Sequence, residues 1–467
     1  MMQLSTVAQV VNGTLLGADV AIQSVGTDSR AIVSNQLFVA IKGDHFDGNQ
    51  FAETAIKHGA AAVLVSDAQT KVTPAILVAD TRIALGQLAH YWRKQFDIPV
   101  IAITGSNGKT TTKEMLSAIL SAILSAATKD TASVHATAGN LNNDIGMPLT
   151  LLKLRQEHAY AVIEMGMNHL GEIDYLTRIA EPTVALINNA GIAHIGELGS
   201  RENIAKAKAE IFNGLSANGV AVINADDAFF DFWQSLNSSK KVITFGLNHT
   251  ADVTATYQEI DGVNHVQLTT PAGSVSFSLH ILGKHNVSNA LAASAAAVAL
   301  GVSNQAIANG LQNMQAVHSR LQRKAGLNGA QLIDDTYNAN PDSMKAAIDV
   351  LAAMSAHTVF VMGDMGELGA DAAQMHAEIG LYAKQKGIAQ LLAFGDLSAI
   401  AATSFGSGAQ HFLVLEDMIA KAKSLMQKNV TVLVKGSRFM KMERVVNALV
   451  DTTQAATIQQ KSLMENA

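Results

Sequence analysis

Four runs of unbroken apolar residues, at 100–103, 161–163, 184–187 and 220–223, constrain this chain more than any other feature. A strand with one wet face alternates apolar and polar residues, so a run without alternation belongs in a sheet covered on both faces. Helical patterns separate the runs. Strands alternating with helices close into a doubly wound parallel sheet, because crossovers between parallel strands are right-handed.

That sheet uses only part of 467 residues, and at ~100 to 200 residues per domain the chain holds about three. Upstream, strand-like runs at 36–41, 61–65 and 75–78 alternate with Ala-rich helical stretches and close near Asp97, Ile98 and Pro99. They predict a small α/β domain in which 43–48 reads as a plain loop. Between Asp252 and Leu279 the period changes to two, with turn signals at Asp261-Gly262 and at Pro271 to Gly273, predicting an antiparallel meander at one edge. Further runs at 332–333, 359–362, 391–394 and 431–434, each followed by an amphipathic helix, predict a second Rossmann-like unit. The expected architecture is α/β in three domains: 1–98, a central phosphate-loop sheet at 99–314, and a Rossmann-like domain at 315–467.

Composition removes several function classes. There is no cysteine, hence no disulfide framework, thiolate metal site or Cys nucleophile, and a reducing cytoplasm fits best. Residues 1–20 lack the charged and apolar regions of a signal peptide, and the apolar stretch 291–300 is far shorter than the ~20 residues that span a bilayer. It reads as a buried helix. Lys and Arg number 33 against 39 Asp and Glu, net −6, so no overall field attracts nucleic acid or an anionic membrane. No nucleic-acid partner and no membrane insertion are expected, and a monomer is.

The strongest chemical signal follows the run 100–103: Thr104, Gly105, Ser106, Asn107, Gly108, Lys109, Thr110 and Thr111, then a helical pattern through Glu114. Glycines let backbone N–H groups wrap a phosphate at a helix N-terminus, Lys109 can reach the terminal phosphates, and Thr110 can bind Mg²⁺. Ile103 replaces the first Gly of the general pattern, which shortens the loop. A Gly-rich turn is the plain alternative, but the Lys-Thr pair after a buried strand favours a nucleotide. Glu164 ends the run 161–163, and His194 follows the run 184–187 through Asn188 and Asn189. Both belong to the carboxyl edge of the sheet, where open α/β sheets bind ligands. A carboxylate there suits Mg²⁺.

These segments, with an Asn-rich loop at 139–148, a Lys-rich one at 206–212, and those at 283–289 and 334–341, stand in the order found in Mur ligases. The resemblance runs from about residue 27 to 446. Within that family, the stretches 336–341, 362–369, 435–438 and 28–30 resemble members that add D-alanyl-D-alanine to UDP-N-acetylmuramoyl-tripeptide in peptidoglycan precursor synthesis. The Asp-Asn-Pro-Arg signature of diaminopimelate-adding relatives is missing from the C-terminal block.

The resemblance implies ATP, Mg²⁺ and an acyl-phosphate intermediate. It implies that 105–111 bind the nucleotide, with Lys109 on the β,γ-phosphates, Thr110 and Glu164 on one Mg²⁺, and His194 with Lys208 at a second metal or the γ-phosphate. Asn286 and Asn289 would read the adenine edge, and Arg320 and Asp335 would reach the phosphates and ribose. Ser29, Arg30 and Asp47 would hold the uridine diphosphate end, Asn338, Asn340 and Arg438 the dipeptide, and Asn140 and Asn143 would also bind substrate. An ammonium among metal ions is unfavourable, so Lys208, four residues before Phe212, is expected as a carbamate. Lys206 lies about 200° around a helix from Lys208 and cannot share its face. Two alternatives stay open: another muropeptide or folylpolyglutamate-type ligase, and a phosphate-loop NTPase switch with outer partner-binding modules.

Overall fold

The computed structural model describes residues 1–43, 46–127, 133–314, 316–354 and 357–452. The four apolar runs become parallel strands Val100–Thr104, His158–Glu164, Val184–Ile187 and Val220–Asn224 of a six-stranded sheet. Its outer strands are Ser133–Ala136 and Lys241–Phe245. Both escape the apolar-run criterion because, pairing with only one neighbour at the sheet's edge, they mix polar with apolar residues. Register pairs Ile103 with Glu164 and Thr104 with Ile187, so the loop after Thr104, the end of His158–Glu164 and the loop after Ile187 share one edge.

Helices Lys109–Ala127 and Lys284–Ala299 cover one face of this sheet, burying Met115, Leu116, Ile119, Val287 and Ala290 against Ile101, Ile103 and Leu186. The Ala-rich stretch expected as a buried helix lies here. The other face packs Ile173, Leu176 and Ile204 against Ala102, Ile163 and Ile187, and this core continues without a break into Leu4, Leu37, Leu64, Leu85 and Leu88 of the N-terminal unit. That unit is a five-stranded sheet in the order Thr14–Leu16, Ala75–Leu77, Ala62–Val65, Gln36–Val39, Ser24–Gly26, antiparallel only at the first pair. The expected loop at 43–48 is instead a short hairpin of Lys42–Gly43 with Phe46–Asp47, followed by a 3₁₀ turn that Asp47 caps by accepting the Asn49 N–H. Strands of two residues are too short to show a period. Asp44 and His45 lie outside the described residues.

The meander forms as expected from Thr254–Ile260, Val263–Thr270 and Gly273–Leu279. Its two-residue turn holds Asp261 at φ 50° and Gly262 at φ 72°, the left-handed pair such a hairpin requires. The C-terminal sheet runs Gln322–Ala325, Gln331–Asp335, Val430–Lys435, His357–Gly363, Gln390–Phe394, Ala409–Phe412, parallel except at the first pair. Its two faces are covered separately, by Met344, Ile348 and Ile379 on one side and Met418, Val445 and Leu449 on the other. Among the described residues no helix is long and apolar enough to cross a membrane.

Candidate active site

The loop leaving Val100–Thr104 is held by amides from the next strand's end. Asn188 Nδ2 donates to the Asn107 carbonyl (2.9 Å) and to Asn289 Oδ1 (2.9 Å). Asn189 accepts the Asn107 N–H on Oδ1 (2.9 Å) and the Ser106 N–H on its backbone carbonyl (3.0 Å). Gly108 sits at φ 78°, and a Cβ there would collide with the Asn188 and Asn289 amides, so only glycine fits. The loop is thereby shaped before any ligand arrives, as a preorganised anion site requires. Lys109 opens the following helix and donates to the Gly105 carbonyl at 2.7 Å. Burial of its ammonium lowers its pKa.

Beside the loop, Glu164 is only 2% exposed. Its Oε2 accepts from the Thr110 hydroxyl at 2.9 Å and its Oε1 from Asn142 Nδ2 at 2.8 Å, while Thr137 Oγ1 accepts the Glu164 N–H. A hydroxyl and a carboxylate oxygen in contact are the hard donors Mg²⁺ prefers, so Thr110 and Glu164 fit the expected metal. Lys208, in helix Arg201–Ala209, is likewise 2% exposed, whereas Lys206 faces solvent. Burial, then the nearby Lys109, push the Lys208 pKa well below the usual lysine range against a weaker pull from Asp227.

The C-terminal unit rests on this edge. Arg320 donates from Nη2 to the Thr110 hydroxyl (2.9 Å) with its guanidinium 4.1 Å from the Tyr337 ring centre. Asn340 Nδ2 donates to Asn107 Oδ1 (2.7 Å), and Asp342 Oδ2 accepts the Ile192 N–H (3.1 Å). His194 Nδ1 lies 2.8 Å from Glu367 Oε2, an ion-pair distance without an aligned hydrogen bond. Both residues are left-handed, at φ 63° and 61°. A cavity of about 690 Å³ opens beside helix Lys109–Ala127, lined by Thr110, Glu114, Ser117, Arg320 and Tyr337 among others.

Several of the expected site residues have hydrogen-bond partners within the chain. Asn286 donates to the Leu282 carbonyl, and Asn289 donates to Asn286 Oδ1 and accepts from Asn188 Nδ2. They brace the phosphate loop from behind. Asp335 accepts from Lys435 Nζ at 2.6 Å and from the Leu321 N–H, which gives the buried lysine its counter-charge. Asn143 accepts the Gly146 N–H and so caps a helix, while the unforeseen Asn142 is the one that touches Glu164; Asn140 is exposed. Asn340 caps helix Pro341–Ala352 through a capping box besides reaching Asn107. Asn338 binds Lys435 and the Arg438 N–H, and the Arg438 side chain, 66% exposed, meets Glu443.

In the N-terminal unit Arg30 pairs with Asp28, the Ser29 carbonyl contacts His58, and Asp47 pairs with Asn49. No described hydrogen bond links these three positions to the phosphate loop. Asn188, Asn189 and Glu367 also went unassigned by sequence. The first two follow a buried strand directly, which is a usable signal; Glu367 lies in the stretch 362–369 that carries the resemblance, but nothing there gave it a role.

A prebuilt phosphate loop, a buried acid beside its threonine and a second α/β unit laid across both define a nucleotide-dependent α/β enzyme. The chain belongs to the Mur ligase family: residues 103–297 match the Mur ligase middle domain, 319–438 the Mur ligase glutamate ligase domain, and 21–93 the Mur ligase family catalytic domain. It is 44% identical over 452 residues to the UDP-N-acetylmuramoyl-tripeptide--D-alanyl-D-alanine ligase of Escherichia coli K12, covering 96% of this chain and 98% of that protein. A crystal structure of MurF from Acinetobacter baumannii matches with a TM-score of 0.88 at 38% identity, covering 95% and 97% of the two chains. That of the MurF ligase from Thermotoga maritima in complex with ADP matches at 0.79 with 27% identity, covering 91% and 96%.

Proposed function

We propose that this chain uses ATP to join D-alanyl-D-alanine to UDP-N-acetylmuramoyl-tripeptide in peptidoglycan precursor synthesis. The observation that carries the reading is the near-full-length similarity to the E. coli ligase of that name, together with a phosphate loop gripped from two units at once. A switch does not need that second grip. The ADP complex of the Thermotoga relative supports a nucleotide at this loop.

On this reading 1–98 holds the uridine diphosphate end through Ser29, Arg30 and Asp47, 99–314 binds ATP, and 315–467 brings the dipeptide. The tripeptide carboxylate attacks the γ-phosphorus and ADP leaves; the dipeptide amine then attacks the acyl phosphate and phosphate leaves. Loop amides 105–111 and Lys109 hold the phosphates in line, and Arg320 adds positive charge from the other side, so catalysis is positioning plus charge neutralisation. Mg²⁺, held by Thr110 and Glu164, would supply further neutralisation. Closure of the C-terminal unit excludes water that would hydrolyse an acyl phosphate.

Lys208 serves as a carbamate: its neutral amine adds CO₂ and releases one proton, turning a buried neutral group into a buried anion near Lys109. The low pKa and burial of Lys208 support this. With ATP and UDP-linked precursors as substrates, the enzyme acts in the cytoplasm, as a monomer. The test is phosphate release from ATP with each muropeptide precursor paired with each candidate amine. Release only with the tripeptide and D-Ala-D-Ala is expected. Turnover that needs neither would replace the reading with the NTPase.

A further inference from the structure

We propose that Glu367 is the carboxylate that seats the ammonium end of the incoming dipeptide. The inference rests on the ligase reading above and adds the residue that recognises the charge of the nucleophile.

At neutral pH a dipeptide is a zwitterion, so its amine approaches as a cation. It must settle beside Lys109 and Arg320, where an uncompensated cation is repelled. A carboxylate facing that region is needed. Asp335 and Asp364 are buried and engaged, by Lys435 and by the Ser398 N–H and hydroxyl. Exposed Asp342 spends one oxygen on the Ile192 N–H. Glu367 is the acid of this unit that lies against His194. Its Oε2 contacts His194, no described residue is placed on Oε1, and its side chain is 55% exposed.

Its place in the fold suits the ligand's other end as well. Glu367 follows strand His357–Gly363, Arg438 follows strand Val430–Lys435, and these parallel neighbours pair Met362 with Lys435. The two loops touch: the Gly366 N–H donates to Ser437 Oγ at 2.7 Å, and Gly366 packs against Phe439. Loops beyond the carboxyl ends of adjacent parallel strands are where such sheets bind ligands. A dipeptide spans about 7 Å and carries one charge at each end. A carboxylate at Glu367, a guanidinium at Arg438 and the exposed Phe439 ring between their loops match its amine, carboxylate and methyl groups. The left-handed backbone at Glu367, which a side-chain residue rarely adopts, is held by the Gly196 N–H bonding its carbonyl.

The test compares Glu367→Gln with wild type at saturating ATP and muropeptide. The KM for D-Ala-D-Ala is expected to rise on the order of 10- to 100-fold, the loss of one charged hydrogen bond, while ADP affinity by calorimetry stays unchanged. The analogue with a hydroxyl in place of the amine should inhibit both proteins equally, since it has no ammonium to lose. Equal weakening of dipeptide and analogue would mean that Glu367 acts through His194 and domain closure, and overturns the proposal. So does an unchanged KM. A wild type that ignores the dipeptide overturns the ligase reading with it, whereas normal wild-type turnover confines a failure to Glu367.

Discussion

The central sheet meets its two neighbours in opposite ways. Toward the N-terminal unit the junction is apolar: Leu85, Leu88 and Ala89 of helix Thr81–Arg93 share one core with Met147, Leu151, Leu176 and Ile179. Hydrogen bonds from Arg93 to the Ala180 carbonyl and from Trp92 to the Leu154 carbonyl seal it. Toward the C-terminal unit the phosphate-loop edge meets side-chain polar groups: Arg320 on Thr110, Asn340 on Asn107, Asp342 on Ile192 and Glu367 on His194. Each such bond contributes about 0.5–1.5 kcal/mol net, against roughly 1.5–3 kcal/mol for every large apolar side chain buried at the first junction. The first junction is therefore held mainly by apolar burial, and the second, at the phosphate-loop edge, mainly by polar contacts.

The largest effect tests the loop on which both units converge. Lys109→Ala should lower kcat by about 100- to 1,000-fold, because one preorganised charge on the phosphates is lost, with the melting temperature nearly unchanged. A near-normal kcat would remove the loop from the mechanism. Lys208→Ala should be almost as inactive and be partly restored by a short-chain carboxylate. Lys206→Ala, on the solvent face, should stay within about threefold of wild type. Full activity of Lys208→Ala at saturating ATP ends the carbamate reading.

The next pair separates stability from binding. Asp335→Ala leaves the buried Lys435 ammonium unpaired and should cost about 3 kcal/mol in chemical denaturation, whereas Arg438→Ala, exposed, should cost under ~1 kcal/mol and mainly raise the dipeptide KM. If both shift ATP affinity equally and neither shifts stability, the assignment of Asp335 to the scaffold is wrong. Trp92→Ala, at the apolar junction, should also cost about 3 kcal/mol while leaving the KM for ATP alone. The smallest effect probes the polar junction. Asn340→Asp keeps the helix cap but loses the amide that reaches Asn107, so melting should hold while kcat/KM for ATP falls roughly 3- to 10-fold. A drop in melting with unchanged kinetics would invert the comparison between the junctions.

How much of this was legible depended on the range of the interaction. The buried strands, the meander with its Asp261-Gly262 turn and the phosphate loop follow from periods and spacings within a few residues, where side-chain direction is dictated by the backbone, whereas the choice of Lys208 over Lys206 came from the family resemblance. Glu164, His194 and Lys109 came together on one edge because parallel strands align their carboxyl ends, which the order of elements alone requires. What the sequence could not decide was which polar group meets which across a gap. Asn142 rather than Asn143 reaches Glu164, Asn289 accepts from Asn188 behind the loop, Asp335 is held by a lysine 100 residues away, and Glu367 faces His194 from another unit. Only tertiary packing sets those pairings, because a buried polar atom must take whatever partner the folded chain brings within hydrogen-bond reach, and distance along the chain does not limit that choice.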